Sequence, residues 1–102
     1  MRFACQADIW PLLSAFDTLK ECETVYVYND YIPEFVLHYD VVLDTDLNNL
    51  QKLLLHDGYR GTTLVWFSKS TEECVLQLSK QVVLCTDVDE VMRVLHTLIK
   101  TV

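Results

Sequence analysis

The sequence predicts a single α/β domain over residues 1–102, with roughly five short, mostly parallel strands alternating with helices. Three observations lead to this fold class. The length of 102 residues is close to the commonest size of one domain. Hydrophobic residues make up 51% of the chain and charged residues 23%, a balance typical of a folded protein. Short apolar runs alternate with segments of helical periodicity, which is the pattern of a parallel sheet covered on both faces.

Five short runs that are rich in β-branched or aromatic residues predict the strands. They are Arg2–Cys5, Thr24–Tyr28, Asp40–Leu43, Thr62–Phe67 and Val82–Cys85. Their apolar residues follow one another almost without interruption, as expected of strands that are buried on both faces.

Apolar residues at helical spacing predict a first helix after the first strand. The stripe consists of Ile9, Leu12, Leu13, Phe16 and Leu19. We expect Asp8 to cap this helix and Pro11 to lie in its first turn, where proline is tolerated.

Leucines at helical spacing predict a second helix in the middle of the chain. They are Leu47, Leu50, Leu53 and Leu54. We expect Asp44 or Thr45 to start this helix and Gly58 to close it.

The last segment has the most regular helical pattern. Its apolar residues are Val88, Val91, Met92, Leu95, Leu98, Ile99 and Val102. Thr86 and Asp87 can cap the helix, and Glu90 follows Asp87 by three positions, as in a capping box. These features predict a helix over about residues 87–100.

Two stretches are compatible with more than one structure. Pro33–Tyr39 is either a short helix or an extension of the strand that follows it. In Thr71–Lys80, Ser70 and Glu73 form a capping box that favours a helix, but alternating apolar residues favour a strand paired with Thr62–Phe67. We favour a helix for Thr71–Lys80, and helices in both stretches give the order βαβαβαβαβα. The alternative is an α+β fold with an antiparallel or mixed sheet and three helices.

Three stretches carry a resemblance to a known family. Asp-Val-Val-Leu-Asp at 40–44 is an apolar strand ending in an aspartate, the stretch 58–68 ends in a serine, and Val-Val-Leu-Cys-Thr at 82–86 precedes the last helix. In this order the chain resembles the receiver domain of response regulators, which has a flavodoxin-like fold. The resemblance covers most of the chain and implies that Asp44 occupies the position of the acceptor aspartate.

The chain departs from the receiver pattern at two positions. Receivers have an acidic pair after the first strand, which holds magnesium, whereas here Gln6 and Ala7 lead to the single Asp8. Receivers also have a lysine at the end of the fifth strand, whereas Thr86 is the residue near that position in this chain. Magnesium needs several oxygen ligands, and phosphoryl transfer needs the positive charge. The resemblance therefore implies a degenerate regulatory interaction module that is not phosphorylated at Asp44.

Negative charge is concentrated in the first half of the chain. The formal net charge is −7: residues 1–51 carry nine acids and two bases, whereas residues 52–102 carry six of each. A field of one sign repels nucleic acids and anionic membranes, so we expect neither as a ligand. The same field attracts a basic protein and accelerates its association.

Residues of the kinds that carry catalysis or bind metals do not form a recognisable motif. His38, His56 and His96 lack the spacing of metal ligands, and two glycines are too few for a phosphate-binding loop. The four cysteines form no CxxC pair, so we expect free thiols in the cytoplasm. We therefore predict no catalytic residue, metal or cofactor. A thiol enzyme that uses Cys5 at the start of a helix remains an alternative.

The segment 23–40 combines aromatic side chains with acids and contains no Lys or Arg. Tyrosine beside carboxylates supplies contact area and charge, as expected where a basic protein is bound. The predicted partner-binding residues are Glu23, Tyr26, Tyr28, Asp30, Tyr31, Glu34, Tyr39, Asp40, Asp44 and Asp46. We interpret the chain as a stoichiometric inhibitor, of the immunity-protein or antitoxin type, of a basic partner such as a toxin or nuclease.

Overall fold

A five-stranded parallel sheet forms the centre of the computed structural model, which describes residues 1–30, 33–60, 62–68 and 82–101. The order of the strands across the sheet is β2-β1-β3-β4-β5, and every neighbouring pair is parallel. The strands are β1 (Arg2–Gln6), β2 (Thr24–Tyr28), β3 (Val41–Asp44), β4 (Thr63–Phe67) and β5 (Val82–Cys85). The predicted α/β class with a parallel sheet is thus confirmed. Strand β3 begins and ends one residue later than predicted, and its last residue is Asp44.

Both sides of β4 are occupied by parallel neighbours, β3 on one side and β5 on the other. A strand inside a sheet has only two sides, so β4 has no antiparallel partner in the described sheet. The alternative of a hairpin that starts with Thr62–Phe67 is therefore wrong. The helix predicted for Thr71–Lys80 lies outside the described residues.

Four α-helices and one 3₁₀ turn are described; three of the helices and the turn connect strands, and the last helix follows the last strand. The helices are α1 (Trp10–Leu13), α2 (Pro33–Val36), α3 (Leu47–Leu54) and α4 (Val88–Thr101), and the 3₁₀ turn is Asp17–Glu21. Of the two structures that the sequence left open for Pro33–Tyr39, the chain adopts the short helix. Within the described residues, no helix is long and apolar enough to cross a bilayer.

The single helix predicted over the Ile9–Leu19 stripe is wrong, because α1 ends at Leu13, with Ser14 as its C-cap. Phe16 adopts an extended conformation, with φ −89° and ψ 131°, and separates α1 from the 3₁₀ turn. Ile9, Leu13 and Leu19 are nevertheless all buried, so α1 and the 3₁₀ turn contribute to the same apolar core. The cap of α1 is Ile9, which has no side-chain acceptor, and not Asp8.

Capping side chains set the starts of α3 and α4. The side chain of Asp46 accepts a 2.9 Å hydrogen bond from the N–H of Asn48, so Asp46, and not Asp44 or Thr45, caps α3. Helix α3 ends at Leu54, with Leu55 as its C-cap, so Gly58 does not close it as predicted. At α4, Asp87 accepts a 2.8 Å bond from the N–H of Glu90, as the capping box predicts.

The two faces of the sheet carry separate apolar cores, because side chains alternate along each strand. On one face, Phe3, Cys5 and Leu43 pack with α1, the 3₁₀ turn and α4. On the other face, Val42 and Leu64 pack with α2 and α3. Tyr26 and Tyr28 of β2 both point to this second face, which decides where the aromatic residues of the front half lie.

Candidate functional site

Asp44 lies at the carboxyl end of β3, next to the point where the strand order reverses between β1 and β3. Ligands of parallel α/β sheets bind at such reversals. The Asp44 side chain is fully buried, and both of its oxygens accept hydrogen bonds. Oδ2 accepts from the Tyr28 hydroxyl at 2.7 Å and from the Asn49 amide at 3.2 Å, and Oδ1 accepts from the N–H of Asp46 at 2.7 Å. The carboxylate therefore connects β2 to the start of α3.

Gln6, the last residue of β1, connects the carboxyl end of β1 to the loop that follows β3. Its Oε1 accepts from the Thr45 hydroxyl at 2.6 Å and from the Thr45 N–H at 3.3 Å. The Trp66 indole N–H in turn donates to the Thr45 carbonyl at 3.0 Å. These hydrogen bonds tie the ends of β1 and β4 to Thr45, the residue that follows β3.

The structure corrects two of the predicted partner-binding residues. Tyr28 is 2% exposed and Asp44 is 0% exposed, so neither presents a side chain to a partner. The reason is that Tyr28 points to the face of the sheet covered by α2 and α3, where its hydroxyl can satisfy the buried carboxylate.

The Cys5 thiol is fully buried among apolar side chains on the other face of the sheet. Burial, followed by the charge of Asp44, raises its pKa to about 12. The thiolate is the nucleophilic form of cysteine, so this environment disfavours the alternative of a thiol enzyme. Among the described residues, no group of three His, Cys, Asp or Glu side chains could hold a metal ion.

A surface groove lies beside β2, on the same face as α2, with a volume of about 560 Å³. We call it the aromatic groove. It is lined by Arg2, Tyr26, Phe35, His38 and Tyr39. The Tyr26 and Tyr39 rings stack with their centroids 5.5 Å apart and an interplanar angle of 19°. Phe35 is 56% exposed, an unusual position for a large apolar side chain.

Arg2 is the cationic member of the aromatic groove and is held by three contacts. Its guanidinium carbon lies 4.9 Å from the centroid of the Tyr39 ring, and its Nη1 donates to the His38 carbonyl at 3.1 Å. Its backbone N–H donates to Oδ2 of Asp40 at 2.8 Å. Asp40 is exposed, so a negative charge accompanies the arginine at the rim of the groove.

The predicted acidic residues that are described lie on the surface, but not at one place. Asp40 is at the groove, whereas Glu23 precedes β2 and Asp30 follows it. Glu34 lies on α2, with its Oε1 4.0 Å from Nε2 of His56. Asp46 is at the opposite end of β3 from Asp40, where it caps α3.

The structure brings together Tyr26, Tyr39 and Asp40 from the predicted set, and it adds Arg2, Phe35 and His38, which are not in that set. Phe35 had a usable signal, since it is a large apolar residue in a short, acidic segment. Arg2 had none, because its contacts are made with residues 36 to 38 positions away. Tyr31 lies outside the described residues, so its role stays a prediction.

Comparison with known proteins identifies no relative. No family model matches the sequence, and no curated protein or solved structure is significantly similar to it. The functional assignment therefore depends on the geometry and charge of the surface itself.

Proposed function

We propose that this chain is a non-enzymatic protein-binding protein that occludes a basic protein partner, such as a toxin or nuclease, as a stoichiometric inhibitor of the immunity-protein or antitoxin type does. The observation that carries the proposal is the aromatic groove, in which exposed Phe35 and the stacked Tyr26 and Tyr39 lie beside the Asp40 carboxylate. The partner would bind at this groove and at the neighbouring edge of the sheet.

The side chains of the groove are of the kinds that dominate protein interfaces. Aromatic residues offer a large contact area with few rotatable bonds and are enriched among residues that contribute most to binding. The faces of their rings also attract cations. The contact between Arg2 and Tyr39 is an example within the chain. A lysine or arginine of a partner would make the same kind of contact with Tyr26 or Phe35.

Charge supports a basic partner rather than a neutral one. Between Lys20 and Lys52 the chain carries seven acids and no Lys or Arg. Glu23, Asp30 and Glu34 are exposed in this region. Such a field accelerates association with a cationic protein and opposes association with an acidic one.

The experiment is affinity capture from the native host with the intact chain, followed by titration of the purified partner by calorimetry. We expect a partner with an isoelectric point well above neutrality that binds in a one-to-one ratio. The Asp30→Lys/Glu34→Lys double variant should bind at least about tenfold more weakly, because attraction becomes repulsion at two positions.

The matched control is Asp17→Lys/Asp89→Lys, which changes the net charge equally. Both residues are exposed, on the 3₁₀ turn and on α4, which pack against the other face of the sheet. This variant should retain most of the affinity. An acidic partner, or equal losses of affinity in the two double variants, would contradict the proposal.

A receiver-like regulatory interaction module is the second candidate, favoured by the strand order and by the position of Asp44 at the end of β3. Such a module would bind through α4 or by dimerising. Substitutions on the exposed side of α4, such as Arg93→Glu, separate the two candidates. They should weaken binding in the second case and leave it unchanged in the first.

A further inference from the structure

Strand β2 is at one edge of the described sheet, with β1 as its neighbour. The N–H of Ala7 donates to the Tyr28 carbonyl, so the backbone of Tyr28 faces β1. Backbone groups alternate in direction along a strand, so the N–H and C=O of Val27 face away from the sheet. The same alternation applies to Val25. The outer side of β2 thus presents backbone donors and acceptors in the spacing of a strand.

The sequence of β2 lacks the features by which proteins protect such an edge. Natural edge strands carry lysines, prolines or bulges that prevent pairing with another chain. Strand β2 reads Thr-Val-Tyr-Val-Tyr, five residues of high strand propensity without a charge or a proline. It is flanked by two exposed acids, Glu23 before it and Asp30 shortly after it.

We propose that β2 is a template for strand addition, in which an extended, basic segment of the partner pairs with the outer side of this strand. The inference rests on the proposed function and specifies how the partner is recognised. Backbone hydrogen bonds to Val25 and Val27 supply general affinity. Lysine or arginine side chains of the added strand face Glu23 and Asp30, and one on the α2 side enters the aromatic groove beside Tyr26.

Charge disfavours a second copy of the chain as the occupant of this edge. In an antiparallel β2–β2 pair centred on Tyr26, Glu23 of each copy would lie opposite Asn29 and next to Asp30 of the other. A parallel pair in register would place Glu23 opposite Glu23. Like charges that face each other across strands are destabilising, and each copy carries a net charge of −7. A basic strand removes this repulsion.

The probe is a synthetic peptide in which lysine or arginine alternates with valine or threonine. The control peptide has the same sequence with N-methyl groups on alternate amides, which preserves charge and removes the donors along one side. We expect the unmodified peptide to bind at least about tenfold more tightly, because two or more backbone hydrogen bonds are lost in the control. By amide hydrogen exchange, the N–H groups of Val25 and Val27 should become protected only with the unmodified peptide.

The Val27→Pro variant tests the same contact from the side of the protein. Proline is tolerated on an edge strand where the N–H faces outward, so the pairing with β1 should persist. The variant should lose most of its peptide affinity. A Val27→Lys variant keeps the N–H and should bind the basic peptide more weakly through charge repulsion alone. It replaces the proline variant if the proline prevents folding.

Equal binding of the two peptides, or no protection of Val25 and Val27, would overturn strand addition. So would binding of neither peptide at millimolar concentration, or protection that arises only from self-association of the chain. The proposed function is tested separately by the double charge reversal at Asp30 and Glu34. If the double variant lost partner affinity but Val25 and Val27 gained no amide protection, the proposed function would stand and strand addition would be wrong. The basic partner would then be bound by side chains alone.

Discussion

The hydroxyl of Tyr28 lies 2.7 Å from Oδ2 of Asp44, and both side chains are buried at the carboxyl ends of their strands. The same hydroxyl lies 3.2 Å from the Leu43 carbonyl. A carboxylate removed from water is costly unless hydrogen bonds compensate for the lost hydration. Tyr28 therefore stabilises the fold rather than a complex, although it lies only two residues from Tyr26 of the aromatic groove.

Replacement of Tyr28 by phenylalanine should destabilise the protein, because the Asp44 carboxylate loses a buried donor. We expect the free energy of unfolding to fall by about 1–3 kcal/mol, measured by urea denaturation. Tyr26→Phe is the matched control, since Tyr26 is half-exposed in the groove. It should change the free energy of unfolding by less than about 0.5 kcal/mol. Equal losses of unfolding free energy in the two variants would show that the hydrogen bond from Tyr28 to Asp44 contributes no more to stability than the hydroxyl of Tyr26.

The stability of the protein should fall in alkaline solution because of Cys5. Its pKa is raised to about 12 in the folded chain, against an ordinary value of 9.0 for an exposed thiol. The unfolded chain therefore releases a proton that the folded chain keeps, and the stabilisation present below pH 9.0 is lost as the pH rises to about 12. Measured by urea denaturation across this range, the free energy of unfolding should depend less steeply on pH in Cys5→Ala than in the wild type. Parallel curves would contradict the assignment.

Alkylation with iodoacetamide gives an independent measure of the same burial. Of the described thiols, Cys22 is half-buried, whereas Cys5 and Cys85 are buried and have raised pKa values of about 12 and 11. The pKa of Cys22 is also raised by burial. We expect Cys22 to react before Cys5 and Cys85 in the folded protein, as peptide mapping would show, and all three to react readily in urea. Rapid labelling of Cys5 in the folded state would revive the thiol-enzyme alternative.

Asp46 is predicted to contribute to stability rather than to binding. Its side chain accepts a hydrogen bond from the N–H of Asn48 at the start of α3. Asp46→Ala should reduce the free energy of unfolding by about 0.5–2 kcal/mol, the usual effect of removing such a cap. Asp46→Asn preserves an acceptor and should remain within about 0.5 kcal/mol of the wild type. If both substitutions also lowered the affinity for the partner equally, Asp46 would belong to the binding surface after all.

Phosphorylation tests the resemblance to receiver domains directly. We expect that incubation with acetyl phosphate and Mg²⁺ adds no phosphoryl group to Asp44, because its side chain is buried and both oxygens accept hydrogen bonds. Intact-mass spectrometry provides the measurement, with an active receiver domain as the positive control. Phosphorylation mapped to Asp44 would show that the carboxyl end of the sheet opens and would favour the regulatory interpretation.

The strands and the long helices could be predicted because their signals are local. Five apolar runs correspond to the five described strands within one residue at each end, and the α4 stripe corresponds to one amphipathic helix. The first helix could not be predicted correctly, because its stripe is compatible with one continuous helix. The stripe is divided at Phe16, which has an extended conformation and packs, partly buried, against the same core as the residues on either side of it.

The sequence by itself determined the fold class, most of the secondary structure and the excess of acids in the front half, since these follow from periodicity and composition. It also placed Tyr26 and Tyr28 on one face of β2. Only the tertiary structure decided that Tyr28 is covered and that Tyr26 lines a groove with Arg2 and Phe35. Exposure depends on which distant segments pack over a strand, and neither the placement of α2 nor that of Arg2 can be calculated from the residues next to each tyrosine.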